Sequence, residues 1–220
     1  YQGLIEKDWP LFVAEGETYE TTEKNRVWYD EYIANVDFEF GRLLDHLEQT
    51  GALDTSYLVV TSDHGELLQR GVKGHVTPLL YEPLVRVPLL ISSPGQTRGN
   101  SIDSPTSSVD LLPTLLSVTG RTVPDWAEGQ LLPGFGGEHN PDRTVSMLDA
   151  KSSSSFGELS QATFSMRRGK YKIILYRGYK EYGKDVFELY DLEKDPEEFP
   201  DLFDPQHTLS QELSAELIKK

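Results

Sequence analysis

The sequence contains no cysteine. Disulfide cross-links, zinc–thiolate centres and a thiol nucleophile are therefore excluded. It also lacks any apolar run approaching the roughly 20 residues that a membrane span requires, and no signal-peptide pattern stands at its start. Basic residues are scarce. Against 36 Asp and Glu there are 21 Lys and Arg, giving a formal net charge of -15 and a pI near 4.7. So acidic a chain is a poor non-specific nucleic-acid binder, because neutralising phosphates takes clustered cations. An anionic substrate would need local cations or a metal to draw it in. The only methionines are Met147 and Met166, and residue 1 is a tyrosine. The sequence thus reads as a piece of something longer, or as a processed product.

What is present is a globular composition. The chain has 220 residues, 37% hydrophobic and 10% aromatic, enough for one full core and a small appended unit. Residues 1 to about 24 show no clean periodicity and read as an irregular lead-in. From Asn25, Trp28, Tyr32, Val36, Phe40, Leu43 or Leu44, and Leu47 recur at three- and four-residue steps, which predicts an amphipathic helix. Gly51 is placed to end it. Tyr57–Thr61 and Val87–Ser92 are short apolar, β-branched runs of the kind that form buried strands.

Beyond Pro94-Gly95, Ser107 or Ser108 can cap a helix through Val109–Val118, closed by Gly120. Pro113 is tolerable there only near the first turn. Residues 121–143 read as a long surface loop and Thr144–Leu148 as a third strand. The serine run after Lys151 marks a flexible connection. Past it, Ala162–Arg167 and Tyr171–Tyr176 flank the hairpin turn Arg168-Gly169-Lys170, and Phe187–Leu192 supplies another alternating strand. Thr208 with Gln211 offers a capping box for a last helix striped by Leu209, Leu213 and Leu217. The expected fold class is α/β: a partial, mostly parallel sheet flanked by helices over residues 1–150, then a small antiparallel sheet with a C-terminal helix over 151–220.

Chemistry concentrates where the first apolar run ends, at Ser62-Asp63-His64-Gly65. In open α/β sheets, ligands bind just beyond the carboxyl ends of strands, and a carboxylate beside an imidazole offers two metal donors. The plainer reading is that Asp63 caps a helix and His64 packs beside the turn. On the dipeptide and its placement the two readings stand level. Lys73 and His75 come next in a glycine-bearing loop; a lysine supplies a fixed charge for an anion, and a histidine can protonate a leaving oxygen. Taken alone, the loop is better read as solvated, with ordinary surface residues. Glu82 and Arg86, four apart, read as a supporting ion pair. His46 falls on the polar side of the first helix, and His139 and His207 lie in loops without charged neighbours at ligand spacing; all three read as uninvolved. The run Glu193-Lys194-Asp195-Pro196-Glu197-Glu198 reads as a solvated turn.

Taken in order, Thr61-Ser62-Asp63-His64-Gly65-Glu66, Tyr81-Glu82 with Arg86-Val87-Pro88-Leu89, Pro94-Gly95, and Val109-Asp110-Leu111 with Pro113-Thr114 and Gly120 resemble the sulfatase family of the alkaline phosphatase superfamily. Gly41-Arg42-Leu43-Leu44 before Gly51 is similar to the family's segment preceding its Asp-His-Gly strand. Arg168-Gly169-Lys170-Tyr171-Lys172-Ile173 and Leu189-Tyr190-Asp191-Leu192 with Asp195-Pro196-Glu197 resemble its C-terminal subdomain. The likeness runs from Asn25 to the end, with Asp201-Leu202 standing where the family usually has Asn-Leu.

The resemblance implies hydrolysis of sulfate monoesters, the chain being the C-terminal portion of such an enzyme. It implies that Asp63 and His64 are two ligands of a divalent cation, calcium foremost, with manganese or zinc as alternatives. It gives the leaving-oxygen role to His75 first and Lys73 second. The nucleophile, a formylglycine made within a Cys/Ser-x-Pro-x-Arg motif, belongs to the family's N-terminal half, and no such motif occurs here. The implied substrate is a small-molecule or glycan sulfate ester. Two rival expectations are a phosphodiester or phosphonate monoester hydrolase of the same superfamily, and a fragment inactive by itself that holds metal weakly through two ligands.

Overall fold

The computed structural model describes residues 19–68, 74–75, 78–152, 159–180 and 182–219. They fall into two compact units, Tyr1–Gly99 and Asn100–Lys220.

In the first unit, helix α1 spans Tyr19–Gln49 and so begins inside the stretch expected to be irregular. It ends where expected. The Thr50 hydroxyl donates back to the carbonyls of His46 and Leu47, and Gly51 takes a φ of 71°, a left-handed conformation that costs glycine little. Next in the chain are strand β1 (Leu58–Thr61), the one-turn helix α2 (Glu82–Val85) and strand β2 (Leu89–Ser92). β1 and β2 pair antiparallel, with Val59 opposite Ile91 and Val60 opposite Leu90. This corrects the mostly parallel sheet expected from the two runs. Apolar runs carry no information about strand direction. Direction depends on the connection, and a parallel pair needs a long crossover, usually helical; α2, with its single turn, is not one.

The second unit opens with a capping box in which the Asp110 carboxylate accepts the Ser107 N–H at 2.8 Å. Helix α3 (Leu111–Val118) continues from it, with Pro113 in its first turn. Asp110 does more than cap. Its side chain is fully buried, it accepts the Gln130 N–H at 2.9 Å, and Arg143 grips both of its oxygens at 2.5 and 2.8 Å. Thr114 extends this junction, donating to the Asp110 carbonyl and accepting the Leu132 N–H. The long loop is thereby tied to the first turn of α3.

Strands β3 (Thr144–Ser152), β4 (Gln161–Arg168), β5 (Tyr171–Arg177) and β6 (Val186–Asp191) form a four-stranded antiparallel meander. The strand at 144–152 therefore belongs with the hairpin beyond the serine run, since Val145 pairs Arg167 and Leu148 pairs Phe164. Helix α4 (Thr208–Ile218) lies across one face. There Leu213 and Leu217 meet Met166, Ile173, Leu175 and Leu189 in the buried core. At its rim Arg168 spans two glutamates one helical turn apart, Glu216 at 2.8 Å and Glu212 at 2.9 Å. The cap of α4 is His207, whose Nδ1 accepts the Leu209 N–H, in place of the Thr208–Gln211 box. The run 193–198 is not wholly solvated either. Glu198, at a φ of 55°, turns its carboxylate inward to Lys172 at 2.8 Å, both side chains fully buried.

Burial alone would raise the Asp110 carboxyl, but Arg143 and the N–H groups of Gln130 and Ser107 outweigh it and hold the group below its ordinary value. A carboxyl depressed by folding stabilises fully above its unfolded value, and that contribution is lost as pH falls through the lower folded value. Asp110→Asn breaks a buried pair and should cost about 3–5 kcal/mol at neutral pH. Urea melts across the acid range should show a shallower pH dependence for the variant. An unchanged midpoint would remove Asp110 from the account of stability.

Candidate functional site

The turn after β1 is built by short polar side chains. Ser62 Oγ donates to the His64 carbonyl at 2.6 Å, and Asp63 Oδ1 accepts the His64 N–H at 3.0 Å. Both bonds favour a turn over continuation of the strand. Gly65 then fastens the turn to α2, its N–H donating to the Leu84 carbonyl at 2.8 Å. The approach is so close that a Cβ at this position would stand 1.9 Å from the Pro83 carbonyl oxygen. Leu67, fully buried, anchors the far side of the turn, and its carbonyl accepts the Gly74 N–H at 2.9 Å across an antiparallel bridge. That bridge returns the chain so that His75 lies over His64.

The two imidazoles stack with ring centroids 4.1 Å apart and planes at 27°. His64 Nδ1 lies 2.8 Å from the Gly65 carbonyl oxygen. A carbonyl only accepts, so Nδ1 carries the proton and Nε2 keeps its lone pair. That Nε2 lies 3.7 Å from Asp63 Oδ2, a separation two ligand atoms can have across one cation. On the other side, His75 Nδ1 lies 3.0 Å from Glu66 Oε2. The carboxylate accepts, so Nδ1 is the nitrogen engaged by Glu66. Ligand atoms of His64, Glu66 and His75 all fall within 4.8 Å of one another.

Of the residues singled out from the sequence, His64 and His75 are brought together and Asp63 stands beside them, its side chain 87% exposed. Lys73 lies outside the described residues. The site also includes Glu66, which is not among the candidates drawn from the sequence. A signal was available: Glu66 stands two residues past His64, and in an extended segment alternate residues share a side. His139 contacts the Ser104 hydroxyl and His207 caps α4, both structural uses.

Gly65→Ala should displace the turn from α2, because the new methyl would meet backbone that cannot move aside. Overpacking of this kind costs about 1–3 kcal/mol. The expected outcome is a lower melting temperature together with altered histidine side-chain resonances of His64 and His75 by NMR. Wild-type melting with unchanged resonances would show that the contact does not position the site.

Residues 7–121 match the profile of the Sulfatase family, and residues 77–220 match that described as N-sulphoglucosamine sulphohydrolase, C-terminal. Choline-sulfatase of Rhizobium meliloti (strain 1021) is 30% identical over 190 residues, covering 84% of this chain and 34% of the relative. Arylsulfatase K of Xenopus laevis is 29% identical over 198 residues, covering 87% and 36% respectively. Among solved structures, BT4656 in complex with its substrate D-glucosamine-2-N,6-O-disulfate aligns with a TM-score of 0.63 and 27% identity, over 85% of this chain and 37% of that one. The chain thus spans about a third of the length of the curated relatives it matches. With the Sulfatase profile matching residues 7–121, more than half of its length, and the second profile continuing to residue 220, the chain belongs to the sulfatase family.

Proposed function

We propose that the protein from which this chain comes hydrolyses sulfate monoesters, with Asp63 and His64 as two of its metal ligands and His75 at the leaving oxygen. The observation that carries this reading is the convergence of His64 and His75, their rings 27° from parallel, at the end of β1 in a sulfatase-family chain. Asp63 and His64 fit a divalent cation because an exposed carboxylate oxygen and a free imidazole lone pair stand 3.7 Å apart. Calcium is the cation the family implies; when bound it would polarise the sulfuryl oxygens and favour attack at sulfur. The family's formylglycine nucleophile is expected in the N-terminal part of the parent protein.

The chain's own residues supply the rest. Glu66 holds His75 by Nδ1, so it is from Nε2 of the doubly protonated ring that a proton would pass to the departing oxygen. Lys73, the second candidate for that oxygen, would add fixed positive charge. A sulfated sugar is the favoured substrate class, since one matched profile is named for a sulphoglucosamine sulphohydrolase and the aligned structure holds a disulfated glucosamine.

In the full-length protein, His75→Ala should lower kcat by about 10²–10⁴-fold on an alkyl or sugar sulfate. It should do far less on an aryl sulfate whose leaving group departs unprotonated. Equal losses on both esters would remove the proton-donor role. Release of phosphate from diesters without release of sulfate would transfer the reading to phosphoryl chemistry, and elemental analysis finding manganese or zinc in place of calcium would point the same way.

A further inference from the structure

Glu66 has no part in the ligand pair proposed above, yet it completes a donor set. Two imidazoles and one carboxylate, each offering a ligand atom within 4.8 Å of the other two, have the composition with which proteins bind zinc-class cations. Calcium takes six to eight oxygens and gains little from two nitrogens. The present hydrogen bonding supports the assignment. His64 carries its proton on Nδ1, directed to the Gly65 carbonyl, so its remaining nitrogen is a ready ligand whose ring is already oriented by backbone. His75 Nδ1 and Glu66 Oε2, 3.0 Å apart, share a proton, and a cation can replace a proton held between two such donors. The scaffold is closed on both sides, by the Gly65–Leu84 bond and by the Leu67–Gly74 bridge. The three side chains are thus presented by fixed backbone.

We infer that His64, Glu66 and His75 form a binding site for a zinc-class divalent cation, separate in its donor set from the Asp63–His64 pair. Two donors alone would bind weakly; the structure supplies three from a segment whose ends are pinned. Such a site needs neither the nucleophile nor the sulfuryl chemistry proposed above, so it can fail or stand without them. His64 is common to the two ligand sets and His75 to this site and the leaving-oxygen role, so the two arrangements are alternative states of one turn; Asp63 and Glu66 distinguish them.

The test uses the 220-residue chain, with zinc followed by calorimetry and cobalt(II) by its visible d–d absorption. One-to-one saturable uptake is expected, with the band intensity of four- or five-coordinate cobalt. Glu66→Gln and His75→Ala should each weaken binding by about tenfold or more, as even the outer partners of metal ligands do when removed. Asp63→Asn should leave zinc affinity unchanged, and circular dichroism should show all three variants folded. Glu66→Gln, which keeps shape and hydrogen bonding, guards against a loss caused by misfolding at His75. No saturable uptake would overturn the inference. So would zinc binding that Asp63→Asn abolishes while Glu66→Gln and His75→Ala preserve it; absence of uptake leaves the proposed sulfate-ester activity untouched, whereas zinc on the Asp63–His64 pair would favour the phosphoryl reading.

Discussion

At residue 65 two backbones come closer than any side chain would allow. The Gly65 N–H reaches the Leu84 carbonyl at 2.8 Å, and the Pro83 oxygen occupies the space a Cβ would need. Hydrogen bonds of this sort contribute about 1 kcal/mol each, so the bond alone is a modest tie. Its weight comes from position. The residue just before it is His64, the residue after it is Glu66, and the helix it meets directs the chain into β2. Fixing this one contact fixes the exit of β1 and the ring of His64, through the Gly65 carbonyl that His64 Nδ1 engages. The return of the chain to His75 then requires only the second tie at Leu67 and Gly74.

Elements set by local chemistry were legible in the sequence. The three-and-four spacing of Trp28 to Leu47 marked α1, Gly51 its end, and Arg168-Gly169-Lys170 the hairpin between β4 and β5, whose left-handed Gly169 is what such a turn demands. The Asp63-His64 turn was legible for the same reason. What escaped was long-range. Strand direction at β1 and β2, the pairing of β3 with β4 across a serine-rich stretch, and the inward turn of Glu198 all depend on partners distant in sequence. Glu66 escaped differently: its partner, His75, becomes a neighbour only once the intervening loop has closed.

A strongly acidic chain places some of its carboxylates where water cannot reach. Asp110 is tolerated because two backbone N–H groups and a guanidinium fork meet it. Desolvating a carboxylate costs several kcal/mol, and only such complete satisfaction offsets it. Asp201 shows a milder case of the same use. Its Oδ1 accepts the N–H groups of Leu189 and Phe203, so one carboxylate oxygen serves a strand and the segment leading to α4. Acidity here is therefore more than a surface property, because it also holds the second unit together.

The Lys172–Glu198 pair has a consequence for the order of events as the polypeptide is made. Lys172 lies on β5, while the Glu198 carboxylate it meets comes from beyond β6 and is synthesised after it. Until Glu198 emerges, an ammonium on that strand has strong reason to remain hydrated, which disfavours a premature seal over that side of the nascent hairpin. The buried pair thus ties β5 to the segment that follows β6, and burial of Lys172 is favoured once that carboxylate is in place.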